Sequence, residues 1–182
     1  MSAPRGALAV AVLLLSTAPV AAQTSKSTTL GAELVRELEQ RQLNTVAAKD
    51  PLNPGFFVAA SHIPGQQLLV VSARSAAPDY LEYVLGASRY DEAYASLNGA
   101  SAPDGKLFVQ DMGCDGLRAE PTETGTVDIA YRDVVKTTIF NGEWKKQGLS
   151  EQEYRQVFDD VDTRYSRALS LLLGQLKRQP AQ

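Results

Sequence analysis

The sequence predicts a single α+β domain with a mostly antiparallel sheet of about five strands, an N-terminal helix, a middle helical region and a long C-terminal helix. Two apolar, β-rich runs are joined by a Pro-Gly turn, which is typical of a β-hairpin. The C-terminal segment repeats apolar side chains at steps of three and four residues, which is typical of an amphipathic helix. With 44% hydrophobic and 21% charged residues among 182, the composition is that of a globular domain with a buried core.

Residues 1–22 are predicted to be a signal peptide. Arg5 precedes an apolar run over residues 7–15, and small residues at 20–22 suit cleavage by a signal peptidase. The alternative is a retained membrane helix, but the apolar centre is shorter than the roughly 20 residues that a span requires. We therefore expect an exported protein with no membrane span after signal removal, in a bacterial periplasm or outside the cell.

The mature chain is expected to comprise a flexible lead-in over residues 23–29, a folded domain over 30–177 and a disordered tail over 178–182. The first element of the domain is predicted to be a helix over residues 30–48, since Leu30, Leu34 and Leu38 fall on one stripe. Pro51 is expected to stop this helix, because proline biases the residue before it away from helical geometry.

Residues 55–62 and 67–74 are predicted to form the hairpin. Pro64 fixes the first dihedral of the turn, and Gly65 takes the positive φ that a type II turn requires. Both runs are apolar at nearly every position, so we expect a central hairpin with both faces covered.

A helical region is predicted to follow, opened by Pro78 and containing Tyr90 and Tyr94. Three more strands are expected over residues 106–112, 127–132 and 134–140. The loop over residues 113–126 is long for a compact domain, which is typical of a functional or disordered segment.

The C-terminal helix has a defined start. Ser150 and Glu153 form the pattern of a capping box, and Leu149 is placed to pack against Tyr154. The order of helices and strands resembles that of profilin-like and sensor domains, in which a five-stranded antiparallel sheet carries helices around it. This resemblance concerns element order alone, and a shared fold does not convey a function.

Candidate ligand-binding residues lie in and near the long loop. Asp111, Cys114 and Asp115 flank or occupy it, and Tyr90 and Tyr94 offer an aromatic surface to a ligand. The alternative for tyrosines at helical spacing is the edge of a core with solvated hydroxyl groups. The alternative for Asp115, which precedes a glycine, is a turn.

The only tryptophan, Trp144, is a candidate partner-binding residue, because tryptophan is enriched at binding hot spots. The alternative is that its ring covers an edge of the sheet. Replacing it with alanine would separate these roles, since a structural role alone changes stability but not partner capture.

Catalysis by a nucleophile would have to use Cys114 with His62, since each is the only residue of its type. The neighbouring Asp111 and Asp115 oppose formation of a thiolate. The chain has too few cysteines and histidines for zinc, no calcium-loop spacing and no glycine-rich nucleotide motif. We therefore predict no metal and no cofactor.

These patterns favour an exported, non-catalytic module that binds a small ligand or a protein partner. The alternatives are a structural or assembly protein that acts through a surface patch or as a homodimer, and a hydrolase or redox protein that uses Cys114. A net charge of −3 gives no electrostatic footprint for nucleic acid. A deep apolar pocket with a few converging polar groups near the loop would favour the ligand-binding module.

Overall fold

The computed structural model describes residues 25–74, 105–132 and 136–179. Within these ranges it shows one antiparallel sheet of six strands and two helices, which confirms the α+β class with one strand more than the five expected. The predicted signal peptide over residues 1–22 and the predicted middle helical region, with Tyr90 and Tyr94, lie outside the described residues.

The sheet runs in chain order, and each strand pairs antiparallel with the next. The strands are β1 (Thr45–Lys49), β2 (Phe56–Ile63), β3 (Gln67–Arg74), β4 (Gly105–Met112), β5 (Asp128–Arg132) and β6 (Lys136–Phe140). The helices are α1 (Ser27–Gln40) and α2 (Glu151–Arg178), and a short 3-10 helix spans Trp144–Gln147.

The predicted helix over residues 30–48 is wrong at both ends. It begins earlier, at Ser27 in the expected flexible lead-in, and it ends at Gln40. Gln42 then adopts a left-handed φ of 55°, and the following residues form β1, where Val46 pairs with Ala60 of β2. The burial of alternate β1 residues is that of a strand. In the sequence, Val46 continues the helical spacing of Leu34 and Leu38. Its pairing with β2 nevertheless makes it part of a strand.

The predicted hairpin is confirmed as β2 and β3. The N–H of Gln66 donates to the carbonyl of Ile63 at 3.0 Å, and Gly65 has the positive φ of 70° that the turn requires. The side chain of Ala60 faces the helices, and that of Ala59 faces the opposite side of the sheet. Both residues are fully buried. Both faces of the hairpin are therefore covered, as predicted.

The start of α2 is also confirmed. The side chain of Ser150 accepts from the N–H of Glu153, whose carboxylate accepts in turn from the N–H of Ser150 at 2.7 Å. From this capping box α2 crosses β1 to β4 and packs against α1. Its buried stripe includes Tyr154, Val157, Phe158, Val161, Tyr165, Leu169, Leu172 and Leu176.

β5 turns a carboxylate towards the helices. The sequence alternates apolar Val127, Ile129 and Tyr131 with Asp128 and Ala130, and it is Asp128 and Ala130 that face the helices, with 2% and 0% of their surface exposed. Asp128 therefore points into the interior between the sheet and the helices, beside the end of β4.

Neither helix within the described ranges combines the length and the apolarity that crossing a bilayer requires.

Candidate functional site

The residues singled out in the loop do meet in the structure. We use the name loop cluster for Asp111, Cys114, Asp115, Asp128 and Tyr165. Asp111 at the end of β4 is fully buried. One of its carboxylate oxygens accepts from the N–H of Asp115 at 3.2 Å, and the other accepts from the N–H of Gly116 at 3.0 Å and the hydroxyl of Tyr165 at 2.9 Å.

Asp128 and Tyr165 are the members of the loop cluster that were not predicted as site residues. Gln110 of β4 pairs with Ile129 of β5, so the next position along the ladder places Asp128 opposite Asp111 on the same face. The carboxylate of Asp128 accepts from the N–H of Met112 at 2.8 Å and from the N–H of Arg118 at 2.6 Å. The sequence did contain a signal for Asp128, because residues two apart in a strand share a face and Asp128 is two positions before Ala130.

Four consecutive backbone N–H groups of the loop, from residues 115 to 118, donate to buried side-chain oxygens. Asp111 accepts the first two and Asp128 accepts the last. The N–H of Leu117 donates to the Ser27 hydroxyl oxygen at 2.9 Å. Buried side chains of the protein thus satisfy all four N–H groups, and this part of the loop is tied to the core.

The two facing carboxyl groups have raised pKa values. Burial, followed by the charges of Asp111 and then Asp115, raises the pKa of Asp128 to about 8 in spite of its backbone hydrogen bonds. Burial also raises the pKa of Asp111 to about 6, against the hydrogen bond from Tyr165. Burial, then the charge of Asp111, raises the pKa of Tyr165 well above its usual range. The cluster therefore favours a protonated state of Asp128 near neutral pH.

Cys114 lies in this cluster as a half-buried thiol. Burial, and then the charges of Asp111 and Asp115, raise its pKa to about 12, so the thiol stays protonated at neutral pH and is a poor nucleophile. His62 is buried in β2, and no hydrogen bond to its Nδ1 is found among the described residues. In the ladder register Leu68 of β3 lies between His62 and Asp111. No hydrogen bond joins Cys114 and His62 in the described part of the chain.

Trp144 lies in the 3-10 helix, half-buried, and packs against the main core. The ammonium group of Lys145 lies 5.4 Å from the centre of its ring. The ring is thus in part a component of the fold, and its partner-binding role stays a prediction.

No group of three or more His, Cys, Asp or Glu side chains in the described part of the chain is arranged to hold a metal ion. The three aspartates of the loop cluster instead accept hydrogen bonds from the backbone and from Tyr165 and Arg118.

A second site, which sequence analysis did not identify, lies between α2 and the sheet. We call it the α2 cleft, and its volume is about 510 Å³. Its apolar wall comprises Phe56 and Val58 of β2, Leu107 of β4, and Ala168 and Leu171 of α2. Cavities of roughly 300–1,000 Å³ with an apolar lining are typical of small-ligand sites.

Most polar residues of the α2 cleft come from α2 and from the turn after β1, and Ser72 of β3 adds a hydroxyl group. Arg164 and Arg167 extend from the helix, and Asp50 and Asn53 from the turn. Arg167 Nη2 lies 2.5 Å from Asp50 Oδ1. Burial favours a higher pKa of Asp50, but the hydrogen bonds from Asn53 and Leu52 and the Arg167 charge outweigh it, so the pKa lies below its ordinary value.

The α2 cleft and the loop cluster lie at different ends of β4. Leu107 lines the cleft, whereas Asp111 belongs to the cluster, and the two positions are four residues apart along the strand, or about 13 Å. Asp50 directly precedes the predicted helix stop at Pro51, and Arg167 lies 117 positions away on α2. Asp50 and Arg167 meet only because α2 packs over the sheet, so no local sequence motif indicates their contact.

Comparisons of the chain with protein-family models, with curated proteins and with solved structures found no match.

Proposed function

We propose that the protein is an exported, non-catalytic module that binds a small ligand in the α2 cleft. The observation that carries this proposal is the cleft itself, a cavity of about 510 Å³ whose described lining combines five apolar residues with six polar ones. This combination allows an apolar body to be desolvated while polar groups fix its orientation. Export is proposed from the leader sequence alone.

The chemistry of the loop cluster supports a non-catalytic role. A nucleophile needs a lowered pKa or an adjacent base, whereas burial and neighbouring carboxylates raise the pKa of Cys114. The backbone amides that would bind an oxyanion are occupied by Asp111 and Asp128. We therefore propose that the loop cluster holds the loop in place and that the α2 cleft binds the ligand.

The test is native mass spectrometry of protein purified from its own host, comparing the unmodified chain with two tryptophan variants. Leu171→Trp adds bulk to the wall of the α2 cleft, whereas Ser170→Trp adds the same side chain at an exposed neighbouring position of α2 that does not line it. We expect a small-molecule adduct on the unmodified protein and on Ser170→Trp, and its loss from Leu171→Trp. An adduct that survives Leu171→Trp in folded protein would assign binding elsewhere.

A further inference from the structure

Two basic side chains, Arg164 and Arg167, and one acidic side chain, Asp50, are among the described residues that line the α2 cleft. Arg164 also pairs with Asp160 on its own helix at 3.1 Å. The side chain of Arg167 is 44% exposed, whereas that of Asp50 is 4% exposed, so the arginine is the accessible partner.

Asp50 positions Arg167 without using all of its donors. The carboxylate of Asp50 is fixed independently, because it accepts from the N–H of Leu52 at 2.9 Å and from the side-chain amide of Asn53 at 2.7 Å. It then receives one hydrogen bond, from Nη2 of Arg167. A guanidinium group carries five N–H donors, so further donors of Arg167 are available to an acceptor in the cleft.

The apolar part of the lining comes from both walls. Phe56, Val58 and Leu107 belong to the buried sheet, whereas Ala168 and Leu171 belong to α2, the helix that also carries the arginines. A ligand that fills the cleft therefore buries an apolar body against these side chains, which favours binding in proportion to the apolar area removed from water. Its polar end would lie against the arginines.

We propose that the ligand class is an amphipathic carboxylate, a small molecule with an apolar chain or ring and one carboxylate group, whose carboxylate binds Arg167. The planar guanidinium group matches two carboxylate oxygens with parallel hydrogen bonds. Asp50 holds the guanidinium group through its Nη2 atom. This inference rests on the proposed function of the α2 cleft and adds the chemistry of the bound molecule.

The test uses octanoate and octan-1-ol as probes, which share a chain and differ in the charged group. Isothermal titration of the mature protein at neutral pH is expected to give an octanoate affinity at least ten-fold above that of octan-1-ol. Arg167→Gln is expected to lower octanoate affinity at least ten-fold and to leave octan-1-ol affinity unchanged. Arg155→Gln, on the same helix and paired with Glu151 outside the cleft, is the matched control and is expected to change neither.

Circular dichroism and thermal unfolding of each variant show that it is folded. If Arg167→Gln fails to fold, Arg167→Lys replaces it, because lysine keeps the charge next to Asp50 but lacks the fork of donors. The expected result is then a partial loss of octanoate affinity with octan-1-ol affinity unchanged. Equal binding of the two probes by the unmodified protein overturns the carboxylate inference.

The outcomes separate the two proposals. If Leu171→Trp abolishes binding of both probes while Arg167→Gln affects neither, the cleft is a binding site but its ligand is not selected by charge. If Leu171→Trp leaves the binding of both probes intact, the proposed function of the cleft fails and the ligand class fails with it. Absence of octanoate binding to the unmodified protein overturns the ligand class, and the host-purified adduct then decides on the cleft.

Discussion

Asp162 of α2 caps the first turn of α1 through Ser27. The Oδ1 atom of Asp162 accepts from the backbone N–H of Ser27 at 3.1 Å and from its hydroxyl at 2.6 Å, and Oδ2 accepts from the N–H of Lys26 at 2.8 Å. The residue at the N-cap of α1 makes no side-chain cap of its own. A helix leaves the N–H groups at its start unpaired, and here those of Lys26 and Ser27 are satisfied from a different helix.

We expect Asp162→Ala to destabilise the protein by about 1–3 kcal/mol, because buried N–H and hydroxyl donors lose their acceptor. Chemical denaturation monitored by circular dichroism measures this change. Asp159→Ala, at an exposed position on the same helix, is the control and is expected to change stability by less than about 0.5 kcal/mol. An equal loss in both variants would contradict the capping role of Asp162.

This contact also explains why the sequence predicted α2 better than α1. The capping box of α2 uses Ser150 and Glu153, which are three residues apart, so the pattern is visible in the sequence. The cap of α1 joins Ser27 to a residue 135 positions away. No residue close to Ser27 in the sequence therefore indicates this cap. The predicted start at Leu30 was therefore late.

The same distinction applies to the candidate sites. Asp111, Cys114 and Asp115 were predicted to lie together because they are neighbours in the chain. Asp128 joins them only through the pairing of β4 with β5, and the Asp50–Arg167 contact only through the packing of α2 over the sheet. Sequence patterns could indicate local elements and a loop of interest. They could not indicate which side-chain oxygen atoms accept hydrogen bonds from the backbone N–H groups of that loop.

Gly116 lies where the loop crosses the start of α1. A Cβ at this position would lie 2.4 Å from the Cα of Thr28, and the φ of Gly116 is 83°. Gly116→Ala therefore combines a backbone collision with a left-handed conformation, and we expect a loss of about 3 kcal/mol or more in the free energy of unfolding.

The matched control is Gly125→Ala. Gly125 has a similar φ of 77°, but a Cβ there would meet nothing within 4 Å. We expect only the conformational cost of about 1–2 kcal/mol. Equal stability of the two variants in urea denaturation would show that the loop can move away from α1, which contradicts the tight packing at Thr28.

Stability is expected to fall as the pH rises through the acidic and neutral range. The pKa of Asp128 is raised from 3.8 to about 8 and that of Asp111 from 3.8 to about 6 in the folded protein. Between pH 4 and 8 the folded state therefore binds more protons than the unfolded state, so raising the pH favours unfolding. The contribution of these groups is fully present below about pH 4 and is lost as the pH passes the folded pKa values.

Asp128→Asn tests the origin of this slope. The amide is neutral at every pH, so the fall in stability between pH 5 and 9 is expected to become smaller. Its single carbonyl oxygen replaces two acceptors for Met112 and Arg118, so we expect lower stability than the unmodified protein at pH 5. Urea denaturation across this range measures both effects, and a slope that is unchanged in Asp128→Asn would assign the pH dependence to other groups.

Gln147 covers the outer edge of β6, the last strand in the sheet order. Its side-chain oxygen accepts from the N–H of Ile139 at 3.0 Å and its amide donates to the carbonyl of Ile139 at 2.6 Å. The amide thus occupies the groups that an added strand would pair with, while the Ile139 side chain is 40% exposed. We expect Gln147→Ala to self-associate at concentrations where the unmodified protein does not, as measured by sedimentation velocity. The control is Gln156→Ala, at an exposed position of α2, which is expected to sediment like the unmodified protein. If Gln147→Ala also sediments like the unmodified protein, the Gln147 amide does not protect the edge of β6.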